Sequence, residues 1–134
     1  MTEVEYAMPL FGSLARQVPP MTAVIDSHRA DNNGILPHVL LGEFAAMVEA
    51  AVTGQDNRSH LPVAQHSLPE VLRLLELAIA SPDERLSNLV AVSFLENLES
   101  ATLSALWPLM APELRSQSTV FWPGLLPGSD PSTT

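Results

Sequence analysis

Along residues 36–53 the apolar positions recur three and four apart. At about 100° per residue, Leu40, Leu41, Phe44, Ala45, Met47, Val48, Ala51 and Val52 share one broad arc. His38, Gly42, Glu43, Glu49 and Thr53 take the other side. Pro37 suits a first turn and Gly54 a C-terminal stop, so the pattern predicts an amphipathic helix from Leu36 to Thr53. A second helix is predicted from Ser67, with Glu70 at capping-box spacing and Val71, Leu72, Leu75, Ala78 and Ile79 as its core face. Leu74 and Leu77 fall outside that face, so this helix either packs on two sides or shows apolar surface. A third is predicted from Pro82 to about Ser100, with Ser81 as cap and Glu84 as the reciprocal acid. Leu86, Leu89, Val90, Phe94 and Leu98 cover a wide arc, extended by Ala91 and Leu95. Only Arg85, Asn88, Glu96 and Glu99 form a polar stripe, which places this helix in the middle of a bundle.

The flanking segments are less regular. Thr2 to Val18 opens on capping-box spacing from Thr2 to Glu5, and Pro9 predicts a short helix or two half-helices, ended by Pro19-Pro20. Residues 21–35 are mixed, with a strong turn signal at Asp31-Asn32-Asn33-Gly34. Residues 55–66 read as a polar loop. Beyond Ser100, short helical pieces break at Pro108 and before Pro112, and Trp107, Leu109, Met110 and Leu114 are expected to close one end of the core. Residues 116–134 are rich in Pro, Gly, Ser and Thr and are expected to be irregular, with Phe121 and Trp122 folding back on the bundle and residues 128–134 disordered. No strand-like alternation and no fixed repeat is visible. The expectation is one all-α domain over residues 1–115, a helical bundle or HEAT-like stack of about five or six helices.

Composition narrows the function. With 134 residues, 46% of them hydrophobic, the chain is long enough for a single core. Fifteen Asp and Glu face six basic residues, all Arg, for a net charge of −9. No Cys removes thiol chemistry and disulfides, and no Lys removes Schiff-base chemistry. Six scattered Arg lay down no basic stripe, so nucleic acid is not an expected partner. An anionic membrane surface would repel the chain, and no apolar run approaches the roughly 18 residues of a span. The N-terminus has no basic residue before Arg16, so a cytoplasmic location is expected. The acidic balance either favours a basic protein partner or serves solubility alone.

Candidate chemistry is sparse. His60 and His66 lie six apart in a Pro-containing loop, His28 and His38 flank a turn, and none has helical zinc-site spacing. No metal or cofactor is expected. Gly-x-Ser-x-Gly and Gly-rich phosphate loops are absent. Glu96/Glu99 and Asp83/Glu84 read as ordinary helix acids, so no catalytic residue is assigned and the chain is not expected to be an enzyme. Ser93 and Asn97 point into the apolar arc of the third helix. A buried Asn needs partners, so it either bonds a neighbouring helix end or loop, or the arc faces a groove that receives a partner. Glu43 and Glu49, Glu70 and Glu76, and Glu96 and Glu99 each fall on the exposed side of a separate helix. Stacked side by side, these acids would form one patch that speeds association with a basic protein. Otherwise they are solvated faces.

The segments LPHVLLGEFAAMVEAAV, VLRLLELAIASPDERLSNLVAVSFLENLES and LMAPELRS resemble a family of small, uncharacterised helical bacterial proteins. That pattern runs from a "GEFA" helix through an "LLE" helix and an "NLxAVSFLENL" helix to a "GPEL" end. Here Ala111-Pro112-Glu113-Leu114 replaces the Gly, and the likeness covers roughly residues 36–115. Such families are similar to immunity proteins of polymorphic-toxin systems, cytoplasmic inhibitors encoded beside a secreted toxin. The resemblance implies an all-helical fold and a binding function, and carries over no catalytic or binding positions. The expected function is therefore inhibition of a cognate bacterial toxin domain by occluding its basic active site. Glu43, Glu49, Glu70, Glu76, Glu96 and Glu99 supply charge, and Leu74 and Leu77 apolar anchors. The alternative is a helical adaptor or regulatory subunit without toxin involvement, using the same surface; a self-dimer through Leu74 and Leu77 would favour it.

Overall fold

Ala7, Leu10, Phe11 and Leu14 recur at helical spacing, and all four are buried in the first helix, α1 (Glu3–Gln17). The computed structural model describes residues 3–54 and 63–123. Contrary to the expectation of a break, α1 runs straight through Pro9, which lies on its exposed side. A proline inside a helix costs about 3 kcal/mol. Burying a large apolar side chain returns about 1.5–3 kcal/mol each, so three of them outweigh the defect.

Residues 21–35, mixed in sequence, fold as α2 (Pro20–Asn32), whose buried residues are Met21, Ile25 and His28. The turn signal marks its end: Asn33 is left-handed at φ 54° and Gly34 stands at φ 141°. Asn tolerates that conformation and Gly is indifferent to it. α3 (Pro37–Thr53) matches expectation end to end, with Gly54 at φ 72° donating its N–H to the Ala50 carbonyl. Val63 N–H to the Met47 carbonyl (3.2 Å) and Gln65 Nε2 to the Ala51 carbonyl (3.1 Å) then lash residues 63–65 to α3.

α4 (Leu68–Ile79) follows a 3₁₀ turn, Gln65–Ser67, and buries the predicted Val71, Leu72, Leu75, Ala78 and Ile79. Its capping box does not form. Ser67 is already helical in backbone angle, its hydroxyl donates to the Gln17 carbonyl at 3.3 Å, and Glu70 turns to Arg73. α5 (Glu84–Val90) starts two residues later than predicted, because Asp83, and not Ser81, accepts the Arg85 N–H at 3.0 Å. Ser81 Oγ instead accepts the Asp83 N–H at 3.0 Å.

The predicted long third helix is also interrupted. Ala91–Leu95 form a π turn, closed by Glu96 N–H to the Ala91 carbonyl at 3.1 Å, and the chain restarts as α6 (Ser100–Leu106). After a 3₁₀ turn at Trp107–Leu109, α7 (Pro112–Phe121) continues past residue 116, where irregular chain was expected. Buried Leu114 and Ser118 give α7 its inner face, Phe121 packs against the core, and Trp122 is exposed. Thr2, His60 and residues 124–134 lie outside the described residues.

α5 and its π turn occupy the centre, packed by α1, α3, α4 and α7. Leu89, Val90, Phe94 and Leu95 are fully buried there. Phe94 meets Phe44 of α3 with ring centroids 6.2 Å apart, a normal aromatic spacing. The fold is all-α, with seven α-helices among the described residues. Among those residues, no single helix is long and apolar enough to cross a membrane.

Candidate functional site

α3 and the π turn run in the same direction along a polar seam. His38 Nδ1 lies within hydrogen-bonding distance of Ser93 Oγ. One turn on, a Cβ on Gly42 would stand 3.5 Å from Asn97 Nδ2. Further along, Glu49 Oε2 accepts the Glu99 N–H at 2.8 Å. Ser93 is buried, so its contact with His38 satisfies a hydroxyl that water does not reach. Asn97 corrects its expected placement: the wide π turn rotates it outward, where it is exposed and donates to the Ser93 carbonyl at 2.7 Å.

The six acids singled out in the sequence have different settings. Glu43 is half-buried, with Oε2 2.9 Å from His28 Nδ1. Glu49 is half-buried at the start of α6, where it plays the part of a capping-box glutamate from another helix. Glu76 accepts the N–H groups of Glu113 and Leu114 at 3.1 and 2.9 Å, closing the start of α7. Glu70 binds Arg73 through both carboxylate oxygens, and those hydrogen bonds hold its carboxyl below the usual range. Glu96 and Glu99 are exposed, and neither has a cationic partner among the described residues.

Glu49 therefore ties α3 to the start of α6 at the Glu99 backbone, and exposed Glu96 lies three residues earlier, in the turn that leads into that helix. Glu70 and Glu76 belong to α4, which packs on α1, α5 and α7. Of the two candidate anchors, Leu74 is partly buried against the core and Leu77 is 58% exposed.

The described arginines are engaged elsewhere. Arg16 donates to Ser13, Arg29 lies 3.8 Å from Asp26, and Arg115 donates to the Trp107 carbonyl at 3.1 Å and covers its ring. Arg85 pairs with Asp83 at 3.1 Å and lies 4.9 Å over the Tyr6 ring. The hydrogen bond from Arg85 holds the Asp83 carboxyl below the usual range. Beside Arg85, a cleft of about 500 Å³ opens between α5 and α7, lined by Ser81, Glu84, Asn88, Ala91 and Gln117 among others.

Sequence reasoning missed two histidine pairs. His28 is buried, and its Nε2 accepts the Leu36 N–H at 2.9 Å while Nδ1 faces Glu43. Its spacing from Met21 and Ile25 was the available signal. His38 and Ser93 are 55 residues apart, and no local pattern joins them. His66 is exposed, and among the described residues no three His, Asp or Glu side chains gather to hold a metal ion.

A family model described as a domain of unknown function, DUF7674, matches residues 11–123. The chain belongs to this family. The DUF7674 match takes in the α3 seam, the acidic corner and the cleft beside Gln117. No curated protein and no solved structure matches the chain.

Proposed function

We propose that this DUF7674 chain is a protein-binding inhibitor, an immunity protein that neutralises a cognate bacterial toxin domain by covering its active site. The observation that carries the binding half is the corner where Glu49 ties α3 to the start of α6 and where Glu96 and Glu99 are exposed. Two of its carboxylates point to solvent with no cation beside them among the described residues. Exposed carboxylates beside an anchored helix start attract a basic surface. A toxin cleft that binds an anionic substrate presents such a surface, and the inhibitor acts by occupying it. The toxin half rests on the resemblance of residues 36–115 to immunity-type families. Catalysis by this chain has no place in the reading.

Tagged protein recovered from its own cells at low and high salt, with the partners identified by mass spectrometry, tests it. The expected result is one stoichiometric basic protein, weakened by salt and released by Glu96→Arg with Glu99→Arg. Recovery of the bait alone, or a partner indifferent to charge reversal, overturns it. The adaptor reading draws on a different observation, the exposed Leu77. A dimer in sizing chromatography that Leu77→Ser abolishes would favour it.

A further inference from the structure

The central helix is wrapped by α1, α3, α4 and α7, yet one strip of it stays open. Glu84, Asn88, Val92 and Glu96 follow one another four apart, and all are exposed. In an α-helix each four-residue step drifts by about 40°, so three steps would carry the strip a third of the way round. The π turn takes more residues per revolution and turns the last step back. Val92 and Glu96 thus stay on one side.

Two walls flank this strip. Asn88 and Ala91 border α7, where Gln117 completes the cleft of about 500 Å³. Ser93 and Asn97 border α3, against His38 and Gly42. The strip leads out of this cleft and changes character along its length. It is polar at Asn88 and Gln117, apolar at Val92, which is 38% exposed, and acidic at Glu96 and Glu99.

We infer that this cleft and the open strip beyond it receive one extended polypeptide segment of the partner. Asn88 and Gln117 hydrogen-bond its main chain, an aliphatic side chain rests on Val92, and an arginine or lysine reaches Glu96 and Glu99. Each carboxamide offers a donor and an acceptor, the pair a peptide group requires. The eight steps from Asn88 to Glu96 rise about 12 Å, the length of about four extended residues. The charge at the acidic end selects a basic side chain. A second copy of this chain is poorly suited to supply it, having no lysine and its described arginines engaged elsewhere. The inference rests on the protein-binding reading and specifies what is bound.

The test uses ¹⁵N-labelled full-length protein and two blocked pentapeptides at millimolar concentration, acetyl-Ser-Gly-Leu-Arg-Arg-amide and its reverse, acetyl-Arg-Arg-Leu-Gly-Ser-amide. The expected result is saturable amide shifts at Asn88, Val92, Glu96 and Gln117 with one of the two. Asn88→Ala and Gln117→Ala, both surface changes, should each weaken binding by about 3- to 10-fold. Shifts confined to Glu96 and Glu99, and insensitive to Asn88→Ala, overturn the inference while leaving the acidic docking surface standing. No shift, or shifts elsewhere such as around Leu77, overturn both. Concentration-dependent shifts along the strip without peptide assign it to a second copy and overturn the inference.

Discussion

His28 donates to Glu43. Its Nε2 is occupied as an acceptor of the Leu36 N–H at 2.9 Å, so the ring proton sits on Nδ1, 2.9 Å from Glu43 Oε2. One buried ring thereby joins α2, the turn after it and α3. His28→Ala should leave the Leu36 N–H and a half-buried carboxylate unpaired beside a new cavity, costing about 2–4 kcal/mol in denaturant unfolding. Glu43→Gln keeps an acceptor toward Nδ1 and should cost no more than about 1 kcal/mol. Equal losses for the two would show that Glu43 contributes through its charge and not only as an acceptor.

Glu76 closes α7 with both carboxylate oxygens. Glu76→Ala should destabilise by about 1–2 kcal/mol and raise hydrogen exchange at Glu113 and Leu114 selectively. Glu76→Gln should lose less, since its amide oxygen still accepts one of the two. Unchanged exchange at those amides would show that the cap does not operate.

Gly42 sits inside α3 where an added Cβ meets Asn97 Nδ2 at 3.5 Å and the Ser93 carbonyl at 3.9 Å, both ordinary contacts. Gly42→Ala should therefore stabilise by about 0.5–1 kcal/mol, through helix propensity and a less mobile unfolded chain. A loss of stability on thermal unfolding would mean the seam is tighter than this geometry.

Glu70 and Asp83 both have carboxyls held below the usual range by hydrogen bonds from Arg73 and Arg85. In the unfolded chain these groups take up protons near pH 4, earlier on acidification than in the fold. The stability they add is complete above that pH and is lost as pH falls through the folded values. Glu70→Gln with Asp83→Asn should flatten the fall in Tm between about pH 5 and pH 3. The effect is small because both pairs are exposed. An unchanged slope would show that the pairs add nothing.

Legibility in the sequence followed the range of the interactions. α3 was readable because Pro37, Gly54 and one apolar arc all act within a few residues. α2 was not, because the third member of its buried triad is a histidine, counted as polar until Glu43 and Leu36 are seen to satisfy it. The π turn left no local signature, so the predicted helix over residues 82–100 placed Asn97 on the wrong side. Wheel positions placed Glu96 and Glu99 on solvent correctly. Glu49 and Glu76 fell on outer flanks too, but N–H groups 50 and 37 residues away recruit them, which no local window contains.

Those two carboxylates also decide where short helices can begin. α6 has 7 residues and α7 has 10, below the roughly 12–15 at which a helix begins to persist alone in water. Their first amides are met by side chains synthesised long before them, on α3 and α4. The C-terminal third of the chain therefore borrows its starting points: the places where α6 and α7 begin are marked by two acids carried on helices that precede them in sequence.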